Sequence, residues 1–399
     1  MSDFTAILQE KIQAYIEAHL HDDITRIILS KSPFKDVDSK MLAQQIDAKR
    51  KAKLKLPTWF KSHKIIYPKN INLQQSSSEL TANYKAEQIQ GDKIADLTGG
   101  FGIDTFAFSR SFIQVDHIEK NGELSEIVQQ NMSSLGVKNV KCHNTTATEF
   151  LKAHKGPFTY LFIDPSRRDA SQKKVFRLED CEPNLTTELN FYLTRAQQVY
   201  IKTSPLLDLD LGIQQLQNVQ SITIIAVQNE VKELLWRIGQ NPVEDIQIQT
   251  VNIKSEHKEI FDLKWSERHC DYSNLGLPEE SDFLYEPNAS LMKSGAFQYI
   301  SKHFSLQKIA QNTHLYFSKN QVKNFPGREF KIRQLLPYKP KKVKAILGGQ
   351  KANLSTRNFP IKVEDVKKKY KIKDGGKTYV FLTTTLLDEK FVLICEKIN

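Results

Sequence analysis

Three segments of this 399-residue chain carry residue types that can hold a charged organic ligand and act on a second one. In Ile94-Ala95-Asp96-Leu97-Thr98-Gly99-Gly100-Phe101-Gly102-Ile103-Asp104, an apolar stretch ends on an acid and runs into glycines. Glycine serves where backbone must approach a ligand closely or take a positive φ. A dinucleotide fingerprint would place a further glycine at position 105, and Thr105 stands there instead. Asp96, Thr98, Gly99, Gly100 and Gly102 therefore suit a cationic or amino-bearing ligand better than a pyrophosphate; a purely structural turn is the alternative. Glu119 ends the next apolar stretch, 23 residues after Asp96. In doubly wound folds a carboxylate so placed takes both hydroxyls of a ligand ribose. Its alternative is a surface acid beside Lys120. Asn144 and Thr145 follow a third stretch, where by position an adenine edge would be read. The last segment, Tyr160 to Asp169, ends an apolar run in Asp164-Pro165-Ser166-Arg167-Arg168. Arg167 and Arg168 can clamp phosphates bidentately, and Asp164 alone could merely cap the following turn.

These residues need a scaffold, and the pattern around them predicts one. Short apolar runs at 93–97, 112–118, 137–142, 158–163, 199–202 and 222–227 read as strands. Leu124, Ile127, Val128, Met132 and Leu135 line a helix face that Gly136 stops. Val231, Leu234, Leu235 and Ile238 predict another helix. Alternation of strand and helix implies α/β architecture with a parallel, doubly wound sheet. Ligands then bind at the carboxyl ends of its strands. Residues 1–75 read as a helical region punctuated by Pro33, Pro57 and Pro68, and Ser76-Ser77-Ser78-Glu79 as a capping pattern that opens a helix from Ser77 to about Gln88. The sheet domain is expected over 76–241. An α+β unit follows over 242–336, with paired strands at 246–253 and 259–265, a helix over 289–303 and a strand at 314–318. After the Pro-Tyr-Lys-Pro stretch, 337–399 reads as strand 343–347, helix 363–369 and a hairpin of 379–385 with 390–396.

Charge separates these parts. The chain has 57 Lys/Arg and 46 Asp/Glu, a formal +11. Of these, 18 basic and 7 acidic residues lie between Arg328 and Asn399, leaving 39 of each elsewhere. The whole excess sits in the last 72 residues, which points to a polyanion, most often nucleic acid; a solvated lysine-rich face is the bland reading. No apolar run is long enough to span a bilayer, and no signal-type core opens the sequence. Cys142, Cys181, Cys270 and Cys395 are scattered, without the spacing of a zinc site or a disulfide framework. A reducing cytoplasm is the simplest expectation, with no metal and no membrane partner.

The glycine loop with Asp96, the acid Glu119 and Asp164-Pro165 resemble, in order and spacing, the class I S-adenosylmethionine-dependent methyltransferases over roughly 76–240. The lead-in 77–86, Asp-Pro-Ser-Arg-Arg at 164–168, Tyr-Glu-Pro-Asn-Ala-Ser at 285–290 and Lys-Ala-Asn-Leu-Ser-Thr-Arg-Asn-Phe-Pro at 351–360 are similar to a bacterial methyltransferase family of Bacteroidetes type. That resemblance implies a Rossmann-like sheet, a ferredoxin-like domain and a C-terminal THUMP-like domain. It implies S-adenosylmethionine as cofactor and, through the THUMP-like module, RNA (tRNA or rRNA) as partner, with Arg357 among the cations that meet it.

The acceptor atom is left open. Base-amine enzymes carry Pro-Pro-aromatic after the strand-four acid, whereas Ser166 and two arginines follow Pro165 here; Phe162 or Tyr84 remain as stacking surfaces. Carbon-5 methylation needs a nucleophilic cysteine, and Cys181 lies away from the expected loop. Ribose 2′-O-methylation uses a Lys-Asp-Lys-Glu set, for which Lys85, Asp164, Lys202 and Glu230 stand at comparable places, with a lysine lowered toward neutrality as base. Ordinary strand-end charges are the competing reading of Lys202 and Glu230. A small-molecule methyltransferase and an RNA-binding protein with a silent methyltransferase fold are the rival functions.

Overall fold

The computed structural model describes residues 4–69, 73, 76–154, 156–167 and 177–398. Two compact units form: Met1–Gln220 with Glu233–Val243, and Ser221–Lys232 with Glu244–Asn399.

The first unit begins with helices, as the proline-punctuated pattern predicts. Asp23 and Asp38 cap the helices Ile24–Leu29 and Ser39–Lys55 by accepting from Thr25 N–H and Met41 N–H. Such caps satisfy amide groups that the first turn leaves unpaired. Leu42, Ile46 and Trp59 are buried, and Trp59 packs on Phe101 with ring centroids 4.8 Å apart. The glycine loop is thereby backed by the helical region.

The strands of this unit are β1 (Gly91–Asp96), β2 (Phe112–Ile118), β3 (Val140–His143), β4 (Phe158–Ile163), the two-residue β5 (Ser166–Arg167) and β6 (Cys181–Glu182), and β7 (Ala196–Thr203). Next, β8 (Val219–Val227) and β9 (Glu230–Gly239) carry the chain into the second unit and back. The main sheet of the first unit has the order β9-β7-β4-β1-β2-β3. Its strands pair in parallel from β7 through β3, while β9 runs antiparallel to β7. Parallel strands covered on both faces are apolar throughout, and Ile94, Val115, Leu161, Phe162 and Val199 are buried.

The helix expected over Val231–Ile238 is the strand β9. A turn with positive φ at Gln228 (49°) and Asn229 (65°) reverses the chain before it. Leu234, Leu235 and Trp236 are buried in succession, and Trp236 Nε1 donates to Thr203 Oγ1 at 2.9 Å. A short run buried on both faces has no alternation, so its apolar positions fit a helical template equally well.

In the second unit, β8 pairs in parallel with β10 (Gln247–Ile253), which pairs antiparallel with β11 (Lys258–Lys264). The remaining strands are β12 (Phe283–Pro287), β13 (Gln307–Ala310), β14 (Thr313–Ser318), β15 (Gly327–Pro337), β16 (Asn353–Arg357), β17 (Thr378–Thr384) and β18 (Lys390–Lys397). They form one sheet, ordered β13-β14-β12-β15-β18-β17-β16. Phe330, Phe381, Leu393 and Cys395 share one core cluster; Leu336, Val343, Leu347 and Val392 share another. The helix expected over 289–303 is two, Ala289–Ser294 and Phe297–Phe304, divided at Gly295 (φ 76°). The strand expected at Val343–Leu347 is the end of a helix, Pro340–Leu347. Pro340 lacks an amide that the first helical turn would leave idle. Val343 and Leu347, four residues apart, are its buried positions.

None of the four cysteines is in a disulfide. Among the described residues, no helix is long and apolar enough to cross a membrane, and no cluster of His, Cys, Asp and Glu has the makings of a metal site.

Candidate active site

Strand β1 delivers Asp96 to the carboxyl edge of the sheet, where the loop to the helix Ile103–Phe108 begins. Gly100 (φ 52°) and Gly102 (φ 77°) hold left-handed backbone that most side chains disfavour. Gly99 is fixed by proximity: a Cβ there would lie 2.2 Å from His117 Nε2. His117 is fully buried, and burial pushes its pKa down to about 4, so a neutral ring supports the loop. Asp96 is 1% exposed. Its Oδ1 accepts from Thr98 N–H (3.3 Å) and its Oδ2 from Thr105 Oγ1 (2.7 Å). Both oxygens thus organise the loop, and burial raises the carboxyl to about 7. Thr105, at the position where a dinucleotide fingerprint has glycine, anchors this carboxylate.

Glu119 follows β2. Its Oε2 accepts from Gly100 N–H (3.0 Å) and its Oε1 from Asn121 N–H (2.8 Å). A carboxylate oxygen has a second lone pair, so Glu119 keeps acceptor capacity for hydroxyls while it ties the glycine loop to β2. Asn144 Nδ2 donates to the carbonyls of Glu119 and Lys120, each at 3.0 Å, and Thr145 Oγ1 donates to Glu149 Oε2 at 3.1 Å. Asn144 is therefore brought to the end of β2; Thr145 belongs to the cap of the next helix.

Thr98 joins this loop to the second half of the site. Asp164 N–H donates to Thr98 Oγ1 at 2.7 Å. Behind Asp164 lies a buried polar cluster. Lys202 Nζ is 2.5 Å from Asp164 Oδ2 and donates to Ser77 Oγ at 3.1 Å. Ser77 Oγ also accepts from Lys85 Nζ (3.0 Å) and lies 2.7 Å from Asp104 Oδ2. Lys85, wholly buried, reaches Asp104 Oδ1 at 3.0 Å and Glu233 Oε1 at 2.7 Å. Two lysines and Asp104 meet at Ser77, and Asp164 and Glu233 flank the lysines, a formal charge of minus one for the cluster.

Buried ion clusters hold when each charge finds partners. Burial would lower Lys202, but Asp164, Asp104 and Glu233 overcome it and hold the ammonium above its ordinary range. The expected neutral lysine base thus meets the opposite electrostatics. Burial opposes the charge of Asp104, which Lys85 and Lys202 nonetheless hold below the carboxylate range. Asp164 is different: burial outweighs Lys202 and raises it. Its side chain is 34% exposed, the opening of an otherwise closed cluster.

Lys85, Asp164 and Lys202 are therefore brought together as their spacing suggested. Glu230 is not: its side chain is 73% exposed and pairs with Lys232 at 2.7 Å. The carboxylate in the cluster is Glu233. Ser77 and Asp104 were missed as functional positions. Ser77 sits in the capping pattern, yet the helix Glu79–Glu87 is capped by Ser78, which accepts from Thr81 N–H and leaves Ser77 free for the lysines. The backbone of Arg167 is in β5, paired with Cys181 of β6; Arg168 lies outside the described residues. Arg357, at the end of β16, is held by Glu286.

A parallel sheet with one antiparallel strand, a glycine loop after β1 and acids ending β2 and β4 define a Rossmann-like methyltransferase. A family model described as conserved hypothetical protein 95 matches residues 75–206, a ferredoxin-like domain model matches 283–326, and a THUMP domain-like model matches 327–397. The crystal structure of a candidate methyltransferase from Porphyromonas gingivalis W83 overlays the whole chain. It shares 29% identity with a TM-score of 0.88, and all of each chain is covered. An rRNA methylase from Streptococcus thermophilus is 15% identical over 40% of this chain and 93% of its own, with a TM-score of 0.30. No curated protein matches the sequence. The chain is thus similar over its whole length to the candidate methyltransferase from Porphyromonas gingivalis, and it carries matches to ferredoxin-like and THUMP-like domain models in its second half.

Proposed function

We propose that the first unit binds S-adenosylmethionine over the carboxyl ends of β1, β2 and β4, and passes its methyl group to a nucleophilic N or O of RNA (tRNA or rRNA). The residues fit that cofactor. Gly99, Gly100 and Gly102 bring bare backbone to the loop, Glu119 offers an acceptor for ribose hydroxyls, and Asn144 and Thr145 stand on the adenine side. Asp96 and Thr98 hold the loop in shape. When bound, the cofactor supplies an electrophilic methyl on a sulfonium.

The protein's own share is orientation and proton handling. One observation carries the reading: the Asp164–Thr98 hydrogen bond couples the cofactor loop to the one half-open carboxylate of the buried cluster. Asp164 meets the acceptor and takes its proton as the new bond to carbon forms. Lys202, held protonated, orients Asp164 and steadies the carboxylate. Lys85, Ser77, Asp104 and Glu233 fix Lys202, and Glu230 stays outside the step. Positioning of this kind is a large part of rate enhancement in group transfer.

The RNA assignment rests on the charge of the last 72 residues and on the THUMP-like module. Segments 1–75, 76–241, 242–336 and 337–399 divide the work between support, chemistry and RNA holding, in the cytoplasm. We assign phosphate contacts in the RNA to Arg167, Arg168 and Arg357. Incubation with labelled cofactor and total bacterial RNA, followed by nucleoside mass analysis, tests the whole reading and names the acceptor atom. Label in a small molecule alone would favour the small-molecule reading. RNA binding without any methyl transfer would mark the fold as silent.

A further inference from the structure

In the second unit, the β13–β14 hairpin is tied to the end of β17. Thr313 Oγ1 donates to the Thr384 carbonyl at 2.9 Å, and Thr383 Oγ1 lies 3.3 Å from Thr313 Oγ1. Arg357 is the register partner of Thr383. This closure places Lys308, His314 and Arg357 around one spot.

Lys308 is 6% exposed. Its Nζ donates to the Gln311 carbonyl at 2.5 Å and lies 5.4 Å from the centre of the Phe297 ring. Among the described residues no carboxylate pairs with it, and burial alone lowers its pKa to about 8. His314 stacks on the same Phe297 ring, with centroids 3.9 Å apart, and its Nδ1 is buried without a partner. Burial, helped by the charges of Lys308 and Arg357, brings this ring down to about 4 and keeps it neutral. Arg357 Nη1 donates to the Thr356 carbonyl at 2.8 Å, and its Nη2 reaches Glu286. That carboxylate also serves Arg328, so one anion answers two guanidinium groups. Thr385, one residue beyond the anchor Thr384, is buried with its Oγ1 unpartnered.

A buried ammonium that meets only a carbonyl and an aromatic face is unfavourable for the fold. Buried polar groups are normally satisfied. Here a lysine and a histidine nitrogen fall short over one aromatic ring, with cations in excess. Their common missing partner is an oxyanion, to which Lys and Arg donate strongly.

We propose that Lys308, His314, Arg357 and Thr385 form a phosphate-ester site in the second unit, separate from the methyl-transfer chemistry. Resting on the RNA reading above, its occupant is one backbone phosphate of the RNA substrate. The neutral imidazole donates one N–H, the hydroxyl another hydrogen bond, and the two cations supply the charge.

The test uses the full chain, Lys308→Met and Arg357→Gln, each checked for fold by circular dichroism. The methionine fills the lysine's space without its charge, so the variant should melt no lower than wild type. Affinity for bulk tRNA, measured by fluorescence anisotropy across a salt series, should fall about 5- to 10-fold in Lys308→Met. The salt slope should shrink by about one contact. In a second arm, inorganic phosphate should raise the melting temperature of wild type more than that of Lys308→Met. Wild-type RNA binding that both variants retain with equal slope would overturn the site and leave the RNA reading standing. If wild type binds no RNA, yet phosphate stabilises it and not Lys308→Met, the site stands for a free phosphate ester and the RNA reading falls. Failure of both arms removes both.

Discussion

Two buried lysines, one in each unit, show how little residue type says about charge. Lys202 is 8% exposed and Lys308 is 6% exposed. Burial by itself lowers both. Lys202 faces Asp164, Asp104 and Glu233 and ends above the ordinary lysine range; Lys308 faces a carbonyl and a ring and falls to about 8. The first is a fixed cation that positions a neighbouring carboxylate. The second is a cation waiting for its anion. What differs is the local supply of opposite charge, since desolvation in a dry interior is offset only by close partners.

The sharpest way to break this contrast is at Asp164. Asp164→Ala should lower methyl transfer by about 10²- to 10⁴-fold, the usual range for a lost general base, with near-native cofactor affinity. Single-turnover transfer and calorimetry on the same variant check both halves. Loss of fold would instead make Asp164 a capping residue. The pH profile has the same origin. Asp164 must be ionised to accept a proton, so the rate should fall as pH drops through a pKa above the ordinary carboxylate value, the direction burial gives it.

Stability should separate the two units next. Lys85→Met leaves Asp104 and Glu233 buried without their shared cation, and should cost about 3–5 kcal/mol in urea unfolding. Lys308→Met removes a lone charge and should cost nothing. Similar losses for both would erase the distinction between paired and unpaired lysines.

Cofactor binding gives a smaller effect. Glu119→Ala should weaken S-adenosylmethionine binding by about 1.5–3 kcal/mol, the range for hydrogen bonds to a charged group. Glu119→Gln preserves one acceptor for Gly100 N–H and so isolates the ligand contacts from the support of the loop. Unchanged affinity by calorimetry in both variants would remove Glu119 from the site.

RNA binding is best perturbed by charge rather than by truncation. Cutting the chain near Val343 would take β16, β17 and β18 out of the second unit's sheet and expose Phe330 and Ile332, which share a core cluster with Phe381 and Leu393. Exchanging the exposed Lys341, Lys342, Lys344, Lys368 and Lys369 for glutamine leaves that core alone. RNA affinity should then weaken and its salt dependence flatten between about 50 and 200 mM salt. Equal slopes would mean a solvated lysine face.

The smallest expected effect is on stability at high pH. Lys308 binds its proton more weakly in the folded chain, about 8 against an ordinary 10.5. The unfolded chain therefore holds more protons between those values, and stability should rise with pH across that window. For Lys202 the folded value is the higher one, so its contribution is present below the ordinary lysine value and lost above it. Denaturant midpoints across this window should rise less in Lys308→Met than in wild type.

The sequence by itself determined what local chemistry could encode. An acid before clustered glycines, a second acid 23 residues on and Asp-Pro after an apolar run mark the ends of β1, β2 and β4, because strand ends and tight turns depend on neighbouring residues. The lysines at 85 and 202 were legible as candidates by their place against those strands. Only the tertiary structure chose their partners and fixed their charge. With 231–238 read as a helix, Glu230, just after the apolar run 222–227, stood as the candidate carboxylate. As the strand β9, residues three apart point to opposite sides of the sheet, and Glu233 goes inward to Lys85 while Glu230 stays outside. Ser77, just before the cap of the helix Glu79–Glu87, and Asp104, in the first turn of Ile103–Phe108, join the cluster from segments that no spacing connects. The charge state of Lys202 depends on all of them, because it is set by how many carboxylates the fold gathers within a few ångströms.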